Sequence, residues 1–206
     1  MELCFRKATP EDTSACVDLV YSSGPELLEY MFSIGNKTAK DYITYEFQEG
    51  GGFIGHRIHT VVEHKSAIVG VGAFYDKRQL IRLYLGSLRN IIRFYGLLGS
   101  FEVLKNALHS SSVIEKPPPK TMYICNLGVS PKSRGLGVGS ALIKYETEKA
   151  SKNGYKDISL DVATNNPKAE SLYQRLGFKL VREKVFRGKK GAKIPGTRFL
   201  VLPISS

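Results

Sequence analysis

At 206 residues, with 42% apolar and 24% charged side chains, the chain is long enough to bury a core and too apolar to be disordered. Lysine and arginine outnumber aspartate and glutamate by 30 to 19, a formal charge of +11, which suits a polyanionic partner: nucleic acid, an anionic membrane surface or a phosphorylated cofactor. Cys4, Cys16 and Cys125 fall in no metal-ligand spacing, the start MELCFRKATPED has no apolar signal core, and no window approaches the ~18 apolar residues of a membrane span. The expectation is a single cytoplasmic domain with buried, reduced thiols and no metal.

Leu3 to Lys7 reads as a first strand. Thr9-Pro10-Glu11-Asp12 then starts a helix, with Thr9 as N-cap, Pro10 in the first turn and Ala15, Cys16, Leu19 and Val20 on one face. Ser22-Ser23-Gly24-Pro25 ends it and opens a second helix through Leu27, Leu28, Met31 and Phe32. A third runs from Thr38 to Gln48 and stops at Gly50-Gly51-Gly52. Tyr21, Tyr30, Tyr42 and Tyr45 on these helices serve either packing or substrate contact. Arg57 to Glu63 and Ala67 to Tyr75 alternate as a hairpin about His64-Lys65-Ser66.

Residues 76 to 120 read as a helical elaboration: Arg78 to Leu85, Ser87 to Leu98 and Ser100 to Leu108, punctuated by Gly86, Gly96 and Gly99. Arg82, Arg89 and Arg93 among Leu85, Leu88, Ile91, Ile92 and Phe94 make it basic and amphipathic, open to readings as a packed solvated face, a lid or oligomer interface, or a membrane-surface helix. After Pro117-Pro118-Pro119 comes the segment on which the rest is organised, residues 122 to 178: strand, Gly-rich turn, long amphipathic helix, strand, Asn-rich turn and short helix. Phe178 to Arg187 and Arg198 to Ile204 close the chain as strands. Between them lies a basic hairpin tip carrying Lys189, Lys190 and Lys193, with Arg182, Lys184 and Arg187 beside it.

The turn Arg134-Gly135-Leu136-Gly137-Val138-Gly139 leaves a Pro131-closed strand and enters a helix directly, so its glycines and the helix's unpaired first amides form a phosphate cradle. It is not a P-loop, since Val138-Gly139-Ser140 lacks the lysine. Against the dinucleotide fingerprint the third glycine falls one position early, and Asp157 or Asp161 only ambiguously supplies the acidic residue.

Val129-Ser130-Pro131, Arg134-x-x-Gly137-x-Gly139, Asn165 or Asn166 followed by Ala169, Leu172-Tyr173 and Leu176-Gly177-Phe178 resemble the acyl-CoA-binding core of the GNAT N-acetyltransferases. The resemblance implies an α/β fold: a mixed, mostly antiparallel central sheet flanked by helices and splayed between its fourth and fifth strands. It also implies transfer of an acetyl group from acetyl-CoA to an amine by direct attack on the thioester. On that reading the main chain of Leu127 and Val129 pairs with the pantetheine arm. Gly135, Leu136, Gly137, Val138, Gly139 and Ser140 hold the diphosphate with Lys132 and Arg134, and Tyr173 donates a proton to the leaving thiolate. Asn165 or Asn166 meets the pantetheine amides or caps the helix.

The carboxylate that many members carry on the fourth strand is missing from Tyr123-Ile124-Cys125-Asn126. Asp161, Glu63, Asp76 or a water relay is left as base, and Cys125 has no histidine partner to make it a nucleophile. The acceptor amine is not legible, although the charge disfavours a strongly cationic one. A homodimer is open. Two other classes remain: an acyl-CoA-binding sensor without turnover, and a nucleic-acid or ribosome-associated protein using the basic hairpin, which the lack of interleaved aromatics disfavours.

Overall fold

Alternating and continuous apolar runs assemble into seven strands in the order β1-β2-β3-β4-β5-β7-β6, in a computed structural model that describes residues 1–188 and 192–204. The strands are β1 (Cys4–Lys7), β2 (His59–His64), β3 (Ala67–Asp76), β4 (Thr121–Val129), β5 (Asp157–Ala163), β6 (Lys179–Lys184) and β7 (Thr197–Pro203). Every pairing is antiparallel except β4 with β5, which are joined by a helix and run parallel. The helices are α1 (Thr13–Tyr21), α2 (Pro25–Phe32), α3 (Ala39–Glu49), α4 (Leu80–Ser110), α5 (Val138–Lys152) and α6 (Pro167–Arg175).

One face of the sheet is covered by α1 to α4, in a core built on Cys16, Phe32, Tyr42, Ile43, Phe47, Val61 and Val71. The other face is covered by α5 and α6, with Phe74, Ile124, Leu142, Ile143, Leu160 and Tyr173 between them. The β2–β3 hairpin turns on Lys65 and Ser66, both at positive φ, the paired left-handed geometry that matches strand twist. At the two sheet edges lie Arg6 and Lys7 on β1 and Lys179, Arg182 and Lys184 on β6.

Several expectations are refined. The first turn after Thr9 is a 3-10 turn over Pro10–Asp12, closed by the Asp12 N–H donating to the Thr9 carbonyl at 3.2 Å and capped by the Thr9 N–H donating to Asp12 Oδ2 at 2.8 Å. Arg57 lies in a 3-10 turn over His56–Ile58, so β2 begins at His59. Cys4 is exposed rather than buried. The elaboration is two helical arms rather than three, together labelled α4: Gly96 (φ 70°) breaks the helix and the chain turns there, so that Ser100 Oγ donates back to the Ile91 carbonyl at 3.2 Å. Gly86 stays helical and instead lets α4 approach α3's terminal glycines, since a Cβ there would stand 2.5 Å from the Gly52 nitrogen. Lys189 and Lys190 of the hairpin tip lie outside the described residues. Arg182 and Lys184 are drawn to Glu115 (3.6 and 2.9 Å), not to a free tip.

Candidate active site

β4 and β5 hold together only from Thr121–Asp157 to Ile124–Leu160, after which they part. β4 continues to Val129 with β3 on its other side, so the main chain of Cys125–Val129 faces a cleft where a fifth-strand partner would be. A bulge sharpens the divergence: Cys125 pairs with Ala73 and Gly128 with Val71, so Asn126 and Leu127 together oppose Gly72, and Asn126 sits at φ 52°. Its side chain pins the bulge by donating to the Phe53 carbonyl at 3.0 Å. Gly128 is required there, because a Cβ would meet the Leu19 carbonyl oxygen at 2.1 Å.

Leaving β4, the chain makes a 3-10 turn over Pro131–Ser133, then passes Gly135 (φ 78°) and Gly137 (φ 83°) into α5. The amides of Gly135, Gly137, Val138, Gly139 and Ser140 have no acceptor among the described residues, while Ala141 begins the helical ladder by donating to Gly137 at 2.9 Å. They form an anion cradle at the positive end of a 15-residue helix. Gly139 sits against the cleft wall, where a Cβ would lie 3.6 Å from Val129 and 3.5 Å from Leu172. Lys132 and Arg134 are exposed above the cradle. Arg134 Nε donates 3.1 Å to the Val129 carbonyl, and that guanidinium bridges the cradle to the β4 edge.

The two asparagines separate. Asn166 caps α6, its Oδ1 accepting from the Ala169 N–H at 3.2 Å, whereas Asn165 reaches across to Glu26 of α2 at 3.3 Å. Tyr173 is buried beside Phe178 (ring centroids 5.7 Å apart), in the cluster that includes Val138 and Leu142. Burial pushes its hydroxyl up to about 12, so it carries its proton at neutral pH.

The three proposed carboxylates are sorted by their partners, Asp76 on the α5–α6 side of β3 with Phe74 and Tyr155, Glu63 and Asp161 on the other side of the sheet. Glu63 is taken by Arg6 at 2.6 Å. Asp76 bonds Arg78 and Tyr155 at 2.6 and 2.8 Å, and although burial opposes its charge, those donors hold it below the usual carboxylate range. Asp161 stands on the first β5 residue past the split. Its Oδ2 accepts from Tyr123 Oη (2.7 Å) and the Glu115 N–H (2.6 Å), while its Oδ1 is buried without a partner among the described residues. Burial raises its pKa, against the pull of Tyr123, the Glu115 amide and the nearby Lys184. Ser159, two residues earlier on the same side of β5, also has a buried hydroxyl without a partner among the described residues.

Cys125 is half-buried, and burial pushes its thiol up to about 12, which disfavours the thiolate that a nucleophile needs at neutral pH. The histidines are engaged elsewhere, His56 with Phe47, His59 with Gly55, His64 with Glu2 and His109 with Tyr30. Of the helical tyrosines, Tyr42 is fully buried core, Tyr45 packs on Phe94, and Tyr21 bonds Glu29. Tyr30 and Phe186, edge to face at 5.1 Å, tie α2 to the segment after β6. The Glu115 contacts had no sequence signal, because Glu115 lies outside any periodic element.

The family model described as the acetyltransferase (GNAT) family matches residues 26–178. Curated relatives include GCN5-related N-acetyltransferase 6, chloroplastic, of Arabidopsis thaliana, 31% identical over 107 residues, which are 51% of this chain and 37% of that protein. Human N-acetyltransferase 8B is 33% identical over 67 residues, 32% of this chain and 30% of its own. The matches thus span about a third of the relatives' length. Among solved structures, an acetyltransferase superposes with a TM-score of 0.70 at 22% identity, covering 98% of this chain and all of that one. An N-acetyltransferase from Staphylococcus aureus Mu50 gives 0.69 at 17% identity, covering 97% of this chain and 100% of its own. These neighbours share the overall fold, and with a family match across most of its length the chain belongs to the GNAT acetyltransferases.

Proposed function

We propose that the protein transfers an acetyl group from acetyl-CoA to an amine. The observation that carries this reading is the continuity of the β4 edge that β5 leaves, Cys125–Val129, with the amides of Gly135, Gly137, Val138, Gly139 and Ser140, which have no acceptor among the described residues. The first suits the amide-bearing pantetheine arm, which would add as a strand through Leu127 and Val129. The second suits the diphosphate, with Lys132 and Arg134 supplying charge.

Tyr173 and Asp161 lie on opposite faces of the sheet at the split, one in the α5–α6 cluster and the other bonded to Tyr123 in the α4-side cluster. That division suits an acid on the donor side and a base on the acceptor side. The neutral amine forms the new C–N bond at the thioester carbon as the C–S bond breaks. Tyr173 gives its proton to the departing sulfur, and Asp161 takes the surplus amine proton on its unpartnered Oδ1. A main-chain amide of the β4 edge faces the developing oxyanion.

The test is an amine screen read by release of free thiol, with calorimetry for acetyl-CoA. Thiol release that depends on both substrates supports the reading. Absence of any heat with acetyl-CoA or free coenzyme A overturns it, and tight binding without turnover across the screen supports a sensor instead.

A further inference from the structure

Helix α4 turns away from the fold an apolar face that nothing among the described residues covers. At 3.6 residues per turn, Ile81, Leu85, Leu88 and Ile92 project together, opposite buried Leu83 and Asn90. Ile81 is 74% exposed and Leu85 62%. Beyond the break at Gly96 the spacing repeats in Leu97, Phe101, Leu104 and Leu108, with Phe101 75% exposed. Scattered exposed leucines are ordinary, but a stripe at helical spacing on each arm of α4 marks a surface built to meet something apolar.

The flank of the first stripe says what that is. Arg82, Arg89 and Arg93 lie one position on from Ile81, Leu88 and Ile92, so they form a basic row beside the apolar one. Arg82 and Arg89 join Arg57, from the turn before β2, around a pocket of about 200 Å³ walled by Gly51, Gly52 and Gly86. None of these three guanidiniums has a carboxylate partner among the described residues, and Glu102 is the single acid on α4. Cations gathered without a counter-charge, around backbone that offers no side chain, suit an oxyanion.

We propose that α4 docks on the surface of an anionic phospholipid bilayer, its apolar stripes sunk below the headgroups and a lipid phosphate held by Arg57, Arg82 and Arg89. A second copy of the chain fits less well, because it would bring Arg82 and Arg89, which have no carboxylate partner among the described residues, against their own counterparts; only Arg93 of the row is offset, by Glu49. The docking is peripheral, since no helix among the described residues is long and apolar enough to cross a membrane. The inference is independent of the acyl-transfer reading.

The test is sedimentation of the intact protein with vesicles of phosphatidylcholine alone and of equal parts phosphatidylcholine and phosphatidylglycerol. Binding is expected to the mixed vesicles, to weaken as salt rises, and to be slight with phosphatidylcholine. Replacing Arg57, Arg82 and Arg89 together by glutamine should lower partitioning about a hundredfold, at roughly fivefold per cation. Leu85→Gln with Leu88→Gln should lower it while leaving the salt dependence in place. Far-UV circular dichroism on these exposed-residue variants checks that each is folded.

The proposal is overturned if the wild type ignores mixed vesicles at low salt, or if both variants partition like the wild type. Two further outcomes overturn it by naming another occupant. A concentration-dependent dimer abolished by the leucine changes, without vesicle binding, assigns the face to a second copy. Heat with inorganic phosphate that the arginine changes abolish, again without vesicle binding, assigns the pocket to a soluble anion.

Discussion

Tyr123 donates a 2.7 Å hydrogen bond to Asp161 across the point where β4 and β5 separate, leaving the other carboxylate oxygen buried and free. With Asp161 as base, kcat falls on the acid side as the carboxylate takes up a proton, and burial sets that fall above the ordinary aspartate range. Tyr123→Phe removes a donor that stabilises the charged form, so the acid limb should move to higher pH. Asp161→Asn should abolish the limb together with most of kcat while acetyl-CoA binding persists. A pH profile of kcat for the three proteins decides; an Asp161→Asn profile identical to wild type removes the aspartate from the reaction.

Tyr173 is held protonated by burial and packs beside α5 rather than on the acceptor side. Tyr173→Phe keeps the ring against Phe178 and deletes only the hydroxyl. The expected loss in kcat is about 10²- to 10⁴-fold with little change in acetyl-CoA affinity. Single-turnover thiol release beside a calorimetric Kd separates the two, and an unchanged kcat would return the hydroxyl to a packing role.

Gly128 and Gly137 should fail differently. A methyl at Gly128 collides with the Leu19 main chain at 2.1 Å, so Gly128→Ala should cost about 1–3 kcal/mol or more and be seen as a lower denaturation midpoint. Gly137 has open space but a left-handed backbone. Gly137→Ala should cost only about 1–2 kcal/mol, yet weaken acetyl-CoA binding by disturbing the cradle. Urea titrations and calorimetry on both variants test the contrast.

His59 is fully buried and bonded through Nδ1 to the Gly55 carbonyl, and burial lowers its pKa from 6.5 to about 4. The unfolded chain therefore binds more protons between those values. The contribution is complete above pH 6.5 and is lost as pH falls toward 4, up to about 3 kcal/mol. Glu46 and Asp161, whose pKa values burial raises, tilt the same window the other way. Subtracting the curve of His59→Phe from that of wild type isolates the imidazole. A difference flat with pH would show that the ring already titrates as in the unfolded chain.

The βαβα unit from residue 122 to 178 was legible because its signals are local: Pro131, the glycines, the helical period of Val138 and Leu142, and the Asn166-Pro167 cap. The three-helix reading of residues 76 to 120 failed at Gly86 and Gly99 for the opposite reason. Glycine's helix penalty of about 1 kcal/mol is small beside the close packing that Gly86 allows against Gly51 and Gly52. The choice among Glu63, Asp76 and Asp161 was closed to the sequence, since it rests on Arg6, Tyr155 and Tyr123, remote in the chain and near in space. The exposed face of α4 was half legible: the basic amphipathic pattern shows in the sequence, but not which side the core claims.

Both margins of the sheet bear cations, Arg6 and Lys7 along β1 and Lys179, Arg182 and Lys184 along β6. Arg6 is offset by Asp12 and Glu63, and Arg182 and Lys184 by Glu115, which leaves Lys7 and Lys179 as the charges that a strand added at either margin would meet, a guard against runaway strand stacking. The fold therefore stays closed to growth along its hydrogen-bonding direction.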